Sequence, residues 1–288
     1  MQSLTASTRI LAVLLVFGSL TTGAIACAPL PDPEPSPSPA EPMGSDPTAE
    51  FPDDWHDADI DEVLTPVVRD RILQAVATDV DRPATDLRIA AAETATFDGC
   101  MGIYVPDQAC TMIAIFGLRV VVTDDDQSWV YHTRQDGEGA VQNPTASGSR
   151  NGLIPDFIPQ PVAEGEPEPE DYVFRSVESG SLAGYSKEIT LLADGRLLQQ
   201  ENGTVIAETL LSSEDVAAFQ QALEDHRFPN LHRLRYITDA AFADYPTIRL
   251  SARHLQTEYI DLALDDAPAA LQAIVQTWDV LVAEAGRN

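Results

Sequence analysis

Two stretches of this chain have almost nothing to bury, and they limit what the remainder can become. Residues 28–52 contain nine prolines interleaved with Asp, Glu, Ser and Ala. Such a segment cannot offset its ordering entropy by apolar burial, so it reads as an extended, semi-rigid tether. A second break, 147–171, ends in Glu164-Gly-Glu-Pro-Glu-Pro-Glu-Asp171 and reads as an acidic linker. Two segments of small-domain size are left, 53–146 and 172–288.

The first segment opens with a helix signal. Thr65 suits the cap, Pro66 the first turn, and Val68, Ile72, Ala75 and Val76 fall on one face before Pro83 stops the run. Leu87, Ile89 and Ala91 alternate like a strand. Leu118–Thr123 and Trp129–Arg134 flank Asp124–Ser128 as a hairpin. In the second segment, Asp194-Gly195 and Asn202-Gly203 lie between β-prone runs, which predicts a three-stranded meander with two type I′ turns. Ser212-Ser-Glu-Asp215 reads as a capping box opening a helix that buries Val216, Phe219 and Leu223. A hairpin is expected around Arg253–Gln256, then a last helix from Pro268 to Gly286 with Leu271, Ile274, Val275, Trp278, Leu281 and Val282 on its stripe. The expected class is α+β: two small domains, each an antiparallel sheet with helices on one face.

The first 26 residues give an address. Arg9 precedes the apolar run 10–20, too short to span a bilayer, and small residues follow up to Ala26. This reads as a signal peptide over 1–26. Ala24-Ile-Ala-Cys27 resembles a bacterial lipobox, with Ala24 where leucine is usual, which would place lipid on Cys27 and make 27–52 the anchored tether. Ala24-Ile-Ala26 also serves as an ordinary A-x-A cleavage site, and then the chain is secreted. Both readings put it outside the cytoplasm. Apart from Cys27 the cysteines are an even pair, Cys100 and Cys110, and an oxidising compartment favours a disulfide over two core thiols.

The formal charge is −29, and removing residues 1–26, which hold Arg9 and no acid, takes it to −30. That field disfavours nucleic acid and anionic headgroups and keeps a protein soluble and monomeric. Catalytic signatures are absent: no G-x-x-x-x-G-K-[ST], H-E-x-x-H or G-x-S-x-G occurs, with Gly180–Gly184 a near miss. Asp57, Asp59 and Asp61 imitate a calcium loop, but Glu62 replaces the turn glycine and Val68 the final glutamate. The five histidines, His56, His132, His226, His232 and His254, show no metal spacing, and no cofactor is implied. Two features suit a partner. Arg227, Arg233 and Arg235 cluster after a helix, where they either grip an acidic partner or pair with the chain's own acids. The small-residue loop containing Ser179, Gly180, Ser181, Leu182, Ala183 and Gly184 reads as either binding surface or plain connector.

Residues 53–146, through Thr96-Phe-Asp-Gly-Cys-Met-Gly102, Cys110 and Trp129-Val-Tyr-His-Thr133, resemble a module of uncharacterised secreted cyanobacterial proteins, which implies no activity. Residues 172–286 resemble the emfourin family of metallopeptidase inhibitors. The features that carry this are Ser179-Gly-Ser-Leu-Ala-Gly184, the helix leading to Phe228, the strand through Ile248, and Ala267-Pro-Ala-Ala-Leu271. The resemblance implies a metallopeptidase partner blocked by the 179–184 loop. The resulting expectation is a non-catalytic envelope lipoprotein that binds a protein, with a surface protein binding wall or matrix components as the alternative. Cys27→Ser should release the protein from membranes; unchanged membrane retention on fractionation would remove the lipid anchor.

Overall fold

The computed structural model describes residues 60–159, 172–180, 184–238 and 245–287. The signal peptide, Cys27, the tether, Asp57, Asp59, residues 160–171 and Ser181–Ala183 lie outside these. Helix α1 spans Pro66–Val80: Thr65 Oγ1 accepts the Val68 N–H at 3.4 Å, Pro66 occupies the first turn, and Asp81 leaves in the left-handed region. Its buried residues are Ile72, Val76 and Ala77, while Ala75 is exposed. The stripe is rotated from the expected one because Leu73, larger than Ala75, packs inward.

Strands β1 (Arg88–Phe97), β2 (Ile115–Thr123), β3 (Ser128–Arg134) and β4 (Val141–Gln142) form an antiparallel meander in that order. One face buries Ile89, Leu118, Val120, Val122, Trp129 and Tyr131 beneath α1, with Ile60 and Leu64. Tyr131 donates to Asp79 Oδ2 at 2.6 Å, which ties β3 to the helix. The opposite face is covered too: Ala91, Val121 and Val130 belong to the core of the second sheet. Val120-Val-Val122 is therefore an unbroken apolar run because successive side chains enter two different cores.

The second sheet contains β5 (Asp156–Phe157), β6 (Tyr172–Ser179), β7 (Ser186–Leu192), β8 (Arg196–Glu201), β9 (Thr204–Leu210), β10 (Leu234–Tyr236), β11 (Thr247–Ala252) and β12 (Leu255–Tyr259). Their order is β5-β10-β12-β11-β6-β7-β8-β9, antiparallel except for the parallel β10–β12 pair. Helices α2 (Ser213–Asp225) and α3 (Ala269–Ala285) pack on it. Phe174 meets Phe219, Phe228 and Trp278 edge-on at 5.0, 5.6 and 4.9 Å, and Trp278 Nε1 donates to Ser176 Oγ at 3.0 Å. Ser212 caps α2 by accepting the Asp215 N–H at 3.1 Å, and its hydroxyl donates to Asp215 Oδ2 at 2.7 Å.

Two expectations change. At Asn202-Gly203 both residues have positive φ (49° and 76°) between the paired Glu201 and Thr204, a two-residue I′ turn. At Asp194-Gly195 only the glycine does (89°), and its N–H donates to Leu192 O at 3.0 Å. The link is thus a three-residue loop, with the Asp194 carboxylate accepting from Arg196 N and Nε. The second change concerns the linker. Ser149 bridges Ser128, Phe157 pairs with Leu234, and Leu153 and Phe157 are buried, so the first part of 147–171 is structural. Its four large apolar residues, Leu153, Ile154, Phe157 and Ile158, outweigh the glycine and proline around them. Both sheets accordingly lie in one compact unit.

Cys100 and Cys110 form a disulfide with Cα atoms 5.4 Å apart, closing a loop over a sequence separation of 10. Replacing both by alanine should lower the unfolding free energy by about 2–3 kcal/mol through the freed unfolded chain, measured by chemical denaturation. No change would mean that the loop's other contacts already hold it.

Candidate functional site

On the face of the first sheet turned toward the second, register places Glu93 beside Arg119 and Arg119 beside His132, on three neighbouring strands. Opposite them runs the turn from Phe228 to Arg233, made of a 3-10 helix, Phe228–Leu231, and Arg233 at φ 65°. Glu93 joins the two sides: Oε1 accepts from Arg119 Nη1 at 2.9 Å and Oε2 from Arg233 Nη2 at 2.6 Å. Arg119 Nη2 donates to His232 O at 2.8 Å, Arg233 Nη2 to Ile158 O at 3.0 Å, and the Arg119 guanidinium lies 5.0 Å from the Phe157 ring centroid. Burial raises the Glu93 carboxyl above its ordinary value despite its two arginines, and lowers Arg119 despite Glu93.

Beside this triad opens a cleft of about 530 Å³, lined among others by Phe97, Phe116, Gly117, His132, Asn230 and His232. His132 is fixed in one tautomer. Its Nδ1 sits 2.6 Å from Met101 O, a carbonyl that can only accept, so Nδ1 carries the proton and Nε2 is a bare acceptor. That Nε2 is buried without a partner among the described residues. In His232 the tautomer is the other one: Nδ1 accepts the Gln256 N–H at 3.1 Å, which leaves Nε2–H to donate. Burial, reinforced by Arg119, holds both rings far below their ordinary pKa, at about 4.

The loop that supplies Met101 O explains the motif around Cys100. Asp98 Oδ1 accepts from Cys100 N and Gly102 N, both at 3.0 Å, and the chain then passes through Met101 and Gly102 with positive φ. Phe97 stacks on His132, ring centroids 4.9 Å apart and nearly parallel. Only glycine fits beneath it: a Cβ at Gly117 would stand 2.1 Å from Thr133 O and 2.7 Å from the Phe97 ring. Asn230 clamps the same loop from the other side. Its Oδ1 accepts from Tyr104 N at 2.7 Å, and its Nδ2 donates to Tyr104 O at 2.9 Å and Thr145 Oγ1 at 3.1 Å.

Of the residues expected to bind a partner, two of the three arginines are engaged in ion pairs within the chain. Arg233 pairs with Glu93, Arg235 with Asp156 at 2.5 Å, and Arg227 is half-buried in the left-handed region after α2. Of the three, only Arg233 lines the cleft. Ser179, Gly180 and Gly184 are exposed away from it, and Ser181, Leu182 and Ala183 lie outside the described residues. Sequence reasoning passed over Glu93, Arg119 and Phe97; the signal was the pair of motifs, 97–102 and 129–133, which meet at His132. Asp61 pairs with Arg69, leaving the calcium reading no described support. The one potential metal grouping among the described residues is Asp98 with Cys100 and Cys110, whose sulfurs are consumed in the disulfide.

Residues 69–141, a quarter of the chain, match a family described as a domain of unknown function (DUF8738). The match falls inside the expected module 53–146 and runs from α1 to the start of β4. No curated protein and no solved structure matches the chain.

The depressed imidazoles have a signed consequence. Between pH 6.5 and about 4 the unfolded chain binds protons that the folded chain refuses. Stability is therefore full above pH 6.5 and falls toward pH 4, by up to about 1.4 kcal/mol per pH unit for the buried His132 and by less for the half-buried, solvent-screened His232. Glu93, shifted upward, works in the opposite sense near its own titration. His132→Gln should flatten the decline between pH 7 and 4.5 in chemical denaturation; an unaltered slope would exonerate His132.

Proposed function

We propose that this chain is a non-catalytic binding protein of the bacterial envelope, anchored by lipid on Cys27, whose folded body captures a protein partner at the cleft. The observation that carries the reading is an exposed apolar rim that follows the disulfide-closed loop. Met112, Ile113 and Phe116 are 101%, 55% and 68% exposed, and the Phe116 position borders the cleft. Large apolar side chains left in water close together in sequence favour a protein contact. The disulfide and the Asn230 clamp hold the adjoining loop, so docking costs little ordering entropy. The charged groups of the cleft restrain one another, Glu93 by two arginines, which suits holding rather than turnover.

The nominated partner is a thermolysin-type metallopeptidase, by the emfourin-like features of 172–286: α2 leading to Phe228, the strand through Ile248, and Pro268 before α3. Inhibition would be occlusion of the enzyme's cleft, with the 179–184 loop as the second contact. The first segment's likeness to secreted cyanobacterial modules fits an extracytoplasmic address. Because Ala91, Val121, Val130, Leu153 and Phe157 complete the core of the second sheet, the test uses the whole mature chain and not 172–288 alone.

Titrating that chain into such a peptidase should remove activity stoichiometrically without cleavage of the chain, and Phe116→Asp should weaken binding by about tenfold or more. Full residual activity at large excess would remove the peptidase, and binding indifferent to Phe116→Asp would remove the rim.

A further inference from the structure

The cleft inverts the charge of the molecule that holds it. The chain carries −29, yet the ionised groups lining the cleft are one carboxylate, Glu93, and two guanidiniums, Arg119 and Arg233. Beside them Asp156 and Arg235 pair with each other, and the Asp98 carboxylate is held by the N–H groups of Cys100 and Gly102. One carboxylate thus serves two buried or half-buried cations, and Arg119 is only 8% exposed. A guanidinium out of water is costly unless fully compensated, so one negative charge is missing at this point.

The unpartnered atoms describe what would complete it. Among the described residues, the Nε–H groups of Arg119 and Arg233 are buried without acceptors, His132 Nε2 is buried without a donor on a side chain 4% exposed, and His232 Nε2–H is left to donate. The missing group is therefore an anion accepting several hydrogen bonds, accompanied some way off by one donor. The separation follows from the sheet. Arg119 and His132 are register partners on neighbouring strands, about 5 Å apart at ordinary strand spacing, and one or two extended residues cover that distance. Phe97, stacked on His132, gives apolar surface beside it.

We propose that the cleft binds the C-terminal end of a polypeptide: its carboxylate completes the counter-charge of Arg119 and Arg233 and accepts from His232 Nε2–H, while a backbone N–H one or two residues back donates to His132 Nε2. A small organic acid supplies the anion but brings no N–H for His132 Nε2. The inference rests on the reading of the chain as a protein-binding protein, and adds which feature of the partner is read.

The probes are a pool of N-acetylated tripeptides ending in apolar residues with free carboxylates, the same pool C-terminally amidated, and acetate. They are titrated into the mature chain with 15N-labelled histidines and followed by NMR. The free acids should shift the ring nitrogens of His132 and His232, the amides should bind about tenfold or more weakly, and acetate should not reproduce the His132 shift. Equal binding of acids and amides, no effect of either, or acetate matching the acids each overturns the assignment. Capture of a metallopeptidase by a chain that treats acids and amides alike would sink this inference alone. Discrimination of acids from amides without capture of that enzyme would sink only the partner.

Discussion

Glu93 is the point through which the two sheets are held in one arrangement. It lies on β1, its nearer arginine on β2, and its farther arginine 140 residues away in the turn before β10. Removing one partner from such a buried set leaves an uncompensated charge, at a cost of about 3–5 kcal/mol, although the net stabilisation by the intact set is far smaller. Its weight is in specificity. A one-residue slip of β1 would turn Glu93 toward α1, and Arg119 would then face the turn with no carboxylate between them. The apolar neighbours Ala91, Val121 and Val130 would accept several packings, whereas the ion pairs accept one.

The cleft is a by-product of that arrangement. Arg119 reaches across to His232 O, which fixes the turn, and the row Glu93–Arg119–His132 keeps its polar side chains at the seam where apolar packing stops. The disulfide loop closes one end, held by Met101 O on His132 and by Tyr104 on Asn230. The disulfide, the Asn230 clamp and the Glu93 pairs hold the cleft's donors and the bare His132 Nε2 in place, which lowers the ordering cost of docking there. A strongly acidic exterior repels anions in general, and the positive cleft is the local exception, a combination that favours selectivity.

The short-range chemistry of this chain was legible in its residues. Thr65 and Ser212 cap helices because a hydroxyl accepts an N–H three residues on, whatever surrounds it. Asn202-Gly203 makes its I′ turn because both residues tolerate positive φ. Cys100 and Cys110 pair because the intervening loop brings them within reach. Where local reasoning missed, a packing term decided: Leu73 rotated the face of α1, and Leu153, Ile154, Phe157 and Ile158 drew half of an expected linker into the core.

By itself, then, the sequence determined the α+β class, the helix caps, the hairpins and the disulfide, since each depends on residues within about a dozen positions of one another. Only the tertiary structure decided that β1–β3 are covered on both faces, that Arg233 and Arg235 serve Glu93 and Asp156, and that His132 ends with one nitrogen satisfied and one bare. These depend on contacts separated by 31 to 140 residues, where the pairing of charges and the filling of space are settled by the whole fold and not by any stretch of it.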